Sequence, residues 1–225
     1  MATQLDLQEQ EQLDELKAFW KDYGNLITWL IVIALGAFAA WNGWQWYQRE
    51  QAAKAGAMYD ELDRAAQAGD ADRAARVFAD LKERYPRTAF AEQAGLLAAK
   101  LQYEKGQLDG SKASLGWVAE HAVEPAYKSI ARLRLAGVML DQKQYDEALK
   151  QLAAVEGKEF QALAQDRRGD ILLVQGKRGE AKAAYQAAWK AMDSTVEYRR
   201  LIEAKLTSLG AAPQTPATPA SGAQS

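Results

Sequence analysis

No charged residue falls between Asp22 and Arg49, and residues 26–47 read LITWLIVIALGAFAAWNGWQWY. A helix of this length, rising about 1.5 Å per residue, crosses a hydrocarbon layer about 30 Å thick. Trp20 and Tyr23 precede the apolar run, and Trp41, Trp44, Trp46 and Tyr47 close it. Amphipathic rings settle at headgroup level, so both ends carry an aromatic belt. Thr28 and Asn42 interrupt the apolar character. Length and belts argue against a buried core helix. Ala37-Phe38-Ala39 resembles the small-x-small pattern of a signal-peptide cleavage site. A cleaved signal needs a short positive start, whereas a long acidic segment stands here, so the run is expected to stay as an anchor.

Upstream, Leu13, Leu16, Trp20 and Tyr23 recur at helical spacing among Glu, Gln and Lys, which predicts an amphipathic helix feeding the anchor. Two roles stay open for it. It can lie on the headgroups, which needs no partner, or dock one. Residues 1–25 carry six acids against Lys17 and Lys21, a net −4 that leaves +2 for the rest of a protein whose total is −2. Within the anchor, Gly36, Ala40 and Gly43 fall at i, i+4 and i+7. Such a face lets another transmembrane helix approach closely, although Ala-rich segments also produce the spacing by chance.

From Arg49 onward the periodicity changes. Ala, Leu, Gln, Lys, Arg and Glu dominate and β-branched residues are scarce, so helices are expected and strands are not. An Ala followed four residues later by a large side chain recurs as Ala74/Phe78, Ala113/Trp117, Ala148/Leu152 and Ala181/Tyr185. The Ala positions are 39, 35 and 33 residues apart. Turn residues precede each: Gly69-Asp70, the longer KGQLDG stretch ending at Gly110, Lys143-Gln144, and Gly176 to Gly179. A two-helix unit of ~34 residues cannot bury its own apolar face and must stack on its neighbours. The small Ala lets the two helices of a unit approach, and the large residue fills space against the next. Pro86 and Pro125 are expected to end second helices, because Pro lacks an N–H. A last helix, residues 194–209, is expected to cover the open face, with Ser194 or Thr195 as its cap.

This pattern resembles the tetratricopeptide repeat. Gln144-Tyr145-Asp146-Glu147-Ala148, with Leu149 and Leu152, is the best match, and residues 176–185 come next. The fold class expected is all-α: an N-terminal transmembrane helix followed by a tetratricopeptide-like helical-repeat solenoid. The domains expected are an acidic amphipathic segment (1–25), the transmembrane helix (26–47), the repeat domain (48–209) and a disordered tail (210–225). The tail is uncharged and has nothing to bury.

Chemistry is thin along this sequence. It has no Cys and one His, His121, which reads as a surface helical residue since nothing completes a ligand set. Nucleotide-cradling glycine motifs and a G-x-S-x-G nucleophile elbow are absent. The carboxylates scatter among Lys and Arg on polar faces, as solvated helix surface does. No basic patch invites nucleic acid. The sequence thus calls for no cofactor or metal, and for binding rather than turnover.

The layout as a whole resembles a bacterial family, the ancillary subunit of the Sec translocon. The residues that carry the likeness are Glu11-Gln12-Leu13-Asp14-Glu15-Leu16-Lys17-Ala18-Phe19-Trp20, Tyr23-Gly24-Asn25 and Gly43-Trp44-Gln45-Trp46-Tyr47. The resemblance implies a single-pass inner-membrane protein with a cytoplasmic N-terminus and periplasmic repeats. It also implies association with Sec translocon subunits and a membrane-anchored periplasmic chaperone of the prolyl-isomerase type, and contact with unfolded secretory chains. The flanking charges, Lys17 and Lys21 against Arg49, Lys54 and Arg64, do not favour that orientation. An organiser of envelope assembly or cell division built on the same domain is the alternative function.

Overall fold

The computed structural model describes the backbone of residues 7–212 and the side chains from residue 11. The expected tail lies outside the described residues from position 213 onward. Helix α1 runs without a break over Leu7–Gln67. Gly24-Asn25 does not interrupt it, and the Trp20 ring packs over that turn, 3.3 Å from where a Gly24 Cβ would stand. The helix contains an 18-residue window of mean hydropathy 1.8, long and apolar enough to cross a membrane. Only 6% of that window is buried, so its Leu, Ile and Trp side chains face outward on every side. Its two polar interruptions are satisfied internally. Thr28 Oγ1 donates to the Gly24 carbonyl (2.7 Å), and the Asn42 amide donates to the Phe38 carbonyl (2.9 Å). A helix in hydrocarbon has no water to satisfy such groups.

The protein divides into two compact units, residues 1–51 and 52–225. In the second, the end of α1 pairs with α2 (Ala71–Arg84). Then α3 (Ala89–Glu104) pairs with α4 (Leu108–His121), α5 (Pro125–Asp141) with α6 (Tyr145–Ala153), and α7 (Lys158–Val174) with α8 (Arg178–Ala191). A single helix, α9 (Tyr198–Ser208), follows. There is no strand among the described residues.

One turn is used in all four pairs. Gly69, Gly106, Lys143 and Gly176 have φ of 68°, 74°, 61° and 77°. The next residue donates its N–H to the carbonyl five positions back: Asp70 to Ala65, Gln107 to Gln102, Gln144 to Met139 and Lys177 to Leu172, at 2.8–2.9 Å. This is the Schellman closure, which needs one left-handed residue and satisfies carbonyls that the helix end leaves bare. The residue that closes one helix is also the N-cap of the next, so the pair is a tight hairpin. The same closure recurs once more after α9, at Gly210.

Packing explains why the hairpins stack. Each of four apolar clusters joins both helices of a pair to the first helix of the next: α1 to α3, α3 to α5, α5 to α7, and α7 to α9. No pair closes its own core, as expected of a repeat array. Polar bonds between neighbouring units add a lateral ladder: Gln107 to Asp72 (3.0 Å), Gln142 to Asp109 (2.9 Å) and Gln93 to the Tyr127 hydroxyl (3.0 Å).

The second unit departs from expectation. KGQLDG is not a long turn: α4 already begins at Leu108, so Asp109 and Gly110 are helical. The register therefore shifts by two. Ala113 is exposed, and the small position facing the partner helix is Ser111, followed four residues later by Leu115, both buried. Gly110 packs inside the helix against Gln102: a Cβ there would meet the buried Gln102 amide at 2.8 Å and force that side chain to shift. Two smaller differences concern helix ends. Pro86 follows α2, but Pro125 opens α5 at its first turn, where its missing N–H costs nothing. Neither Ser194 nor Thr195 caps α9; Thr195 bonds instead to Asp193, and the helix starts after Glu197.

Candidate protein-interaction groove

The first helices of successive pairs, α3, α5 and α7, lie side by side. Between them, over α4, opens a groove of about 380 Å³. Ala99, Leu115 and Val138 make its apolar floor and are all buried. Lys100 and Tyr103 of α3, Arg134, Gly137 and Asp141 of α5, and Arg167 of α7 make its rim. Positions 134, 137, 138 and 141 share one face of α5 by helical spacing. The Tyr103 hydroxyl donates to Asp141 Oδ2 at 2.6 Å. That bond, then the charge of Asp141 and slight burial, raises the Tyr103 phenol above its ordinary pKa. Gly137 leaves bare backbone: a Cβ there would stand 3.4 Å from Arg167 Nη1, so the guanidinium reaches across from α7 to α5. The Ser111 hydroxyl lies at this groove, buried, with no hydrogen-bond partner in the structure.

A second polar cluster fixes the end of the array. Asp166 and Asp170, one turn apart on α7, both meet Lys205 of α9, at 2.9 Å and 2.7 Å. Asp166 is fully buried and also accepts from the Tyr198 hydroxyl (2.8 Å), while Asp170 accepts from Tyr185 (2.7 Å). Burial first, and then the carboxylate bonds, push both phenols above their ordinary range. The cluster is satisfied by its own members and reads as a clasp, not a reaction centre. Among the described residues no group of His, Asp and Glu is placed to hold a metal.

The repeat positions singled out in the sequence fall as follows. Ala74, Phe78, Ala148, Leu152, Ala181 and Tyr185 are buried between helices. Trp117 is half-buried and meets Phe78 edge-on, with ring centroids 5.5 Å apart, while Ala113 faces solvent. Gly36, Ala40 and Gly43 are exposed on α1. His121 is exposed and stacks on Trp117 at 5.1 Å. None of these lines the groove, whose rim is mostly charged residues that look like ordinary surface when read in sequence order. The signal that could have found them is the near-repeat spacing of Lys100, Arg134 and Arg167, one on each first helix.

Stacked hairpins around shared cores, with a groove along their first helices and an outward-facing apolar helix before them, define a helical-repeat interaction protein of the tetratricopeptide class. The tetratricopeptide repeat-like domain family matches residues 17–211. Three curated relatives, each named ancillary SecYEG translocon subunit, extend the likeness to nearly the whole sequence. The protein from Neisseria gonorrhoeae is 30% identical over 207 residues, covering 90% of this protein and 98% of its own length. That of Haemophilus influenzae is 30% identical over 182 residues, covering 81% and 89%. That of Escherichia coli is 28% identical over 203 residues, covering 89% and 96%. The protein belongs to the ancillary SecYEG translocon subunit family.

Proposed function

We propose that this protein is a non-enzymatic scaffold, anchored in the bacterial inner membrane by the apolar part of α1 and associated with the Sec translocon. The observation that carries the proposal is the likeness to translocon subunits over 90% of the sequence, apolar helix and repeats together. The N-terminus is cytoplasmic and the repeats are periplasmic, where they meet emerging secretory chains and a membrane-anchored chaperone of the prolyl-isomerase type. The Gly36, Ala40, Gly43 face serves as a helix contact in the membrane, and the repeats supply the larger binding surface. Anchoring both partners in one membrane raises their effective concentration, so modest contacts suffice.

Purification of the full-length protein from membranes in mild detergent, with identification of what accompanies it, tests the proposal. SecYEG subunits and the chaperone are the expected companions. Division or peptidoglycan-assembly proteins in their place would support the envelope organiser and overturn the scaffold.

A further inference from the structure

The groove between α3, α5 and α7 carries an uneven charge. Three cations, Lys100, Arg134 and Arg167, line it against the single carboxylate of Asp141. Asp141 is already engaged by the Tyr103 hydroxyl. Lys100 approaches Glu104 at 3.7 Å, but both side chains are more than half exposed, so that pair holds it weakly. Neither Arg134 nor Arg167 has a carboxylate within ion-pair distance among the described residues. The two arginines are equivalent in the repeat: each stands nine residues before the left-handed residue that ends its helix, Lys143 or Gly176. Lys100 occupies the same side of α3, one unit earlier.

Two further features point to a polypeptide as occupant. The floor is apolar and has room for a large side chain. The Ser111 hydroxyl, 1% exposed and unpartnered, is a polar group of the kind that native proteins seldom leave unsatisfied.

We propose that this groove binds an extended acidic segment of a partner protein, laid across the units, with its carboxylates on Lys100, Arg134 and Arg167 and an apolar side chain on the floor. A polypeptide's terminal carboxylate would supply charge at one point only, whereas the cations come from three successive first helices. Neighbouring helices lie about 9 Å apart, and a polyproline-II segment advances ~3.1 Å per residue with about three residues per turn, so acids at every third residue share one face at matching intervals. Planar guanidinium forks suit carboxylates. Nucleic acid fits poorly, since the protein is net −2 and the groove floor is apolar. The proposal rests on the scaffold function in one respect: the segment belongs to a protein met at the translocon.

The test uses the full-length protein in detergent micelles and a fluorescent synthetic peptide with Glu at every third position and Leu between. The peptide is expected to bind, more weakly as salt rises, and a Gln-for-Glu version is expected not to. Arg134→Ala with Arg167→Ala should weaken binding about tenfold or more; both side chains are exposed, so the thermal midpoint should not move. Ser111→Ala gives a separate variant, expected to bind several-fold more weakly. No binding of the Glu peptide, equal binding of the Gln peptide, or unchanged binding by the double variant each overturns the proposal. Equal capture of a single-stranded oligonucleotide does so too, since the site would then be a general anion surface. SecYEG co-purification from cells carrying the double variant separates the two ideas. SecYEG retained while peptide binding is lost leaves the scaffold standing and the groove assigned; SecYEG absent from the wild type sinks the scaffold whatever the peptide does.

Discussion

Lys143 holds a left-handed backbone (φ 61°) at the place where the other three hairpins use glycine. A Cβ in that conformation crowds the following carbonyl, at a cost of about 1 kcal/mol. We predict that Lys143→Gly raises stability by about 1 kcal/mol and that Gly176→Ala lowers it by about as much or more, both read from denaturant midpoints. Nothing lies within 4 Å of a Cβ at Gly176, so the second effect isolates backbone strain. Gly169 differs in kind. A Cβ there would run into the Tyr185 ring, so the missing side chain is what lets α7 and α8 approach. Gly169→Ala should cost about 1–3 kcal/mol through overpacking in the native background, and less when introduced into Tyr185→Leu and compared with that variant alone. An equal loss in both would show that the ring is not the obstacle. The left-handed glycines were legible in the sequence because they sit between helical runs. Gly169 was not, because its partner lies on the next helix.

The element whose attachment is easiest to test is α9, which has no partner helix following it among the described residues. Ile202 and Leu206 bury its apolar side, and the Lys205 clasp on Asp166 and Asp170 sets its register. Lys205→Met leaves Asp166 buried without its cation, and breaking such a pair costs about 3–5 kcal/mol. The loss should appear as early exposure of α9 in hydrogen exchange. The phenols give a pH signature of definite sign. Folding raises the pKa of Tyr185 and Tyr198, so the folded state holds protons that the unfolded protein releases from pH ~10, the ordinary phenol value. Their contribution is complete below that pH and is lost as the pH climbs above it. The thermal midpoint should therefore fall as the pH climbs above ~10, and fall less steeply in Tyr198→Phe. Equal slopes would remove Tyr198 from the clasp. That a terminal helix exists was legible from its composition, but its start was misjudged. Ser194 and Thr195 look like caps in isolation, yet Asp193 takes Thr195 for a local turn.

In the full-length protein, the anchor and the repeats are expected to act as separable parts. A Cys placed at exposed Glu104 should react with a membrane-impermeant reagent once the outer membrane alone is opened. Labelling that needs inner-membrane rupture would reverse the proposed orientation. Deleting residues 49–209 should abolish capture of the periplasmic chaperone while the apolar helix still inserts. Full capture by the anchor alone would move the binding function out of the repeats.

Features that depend on local pattern could be read directly from the order of the residues. An uncharged run flanked by Trp and Tyr defines an apolar helix whatever surrounds it. Left-handed turn residues between helix formers define hairpins, and their recurrence defines a stacked array. Features that join residues far apart in sequence emerged with the packing of the helices. The register of α4 is one, because Gly110 packs under Gln102 of the preceding helix and so belongs inside the helix. Asp166 is another: packing turns one more surface acid into the buried centre of a clasp formed with residues 32 and 39 positions away. The gathering of Lys100, Arg134 and Arg167 around one groove is a third, an arrangement created by stacking, since each lies on a different unit of the array.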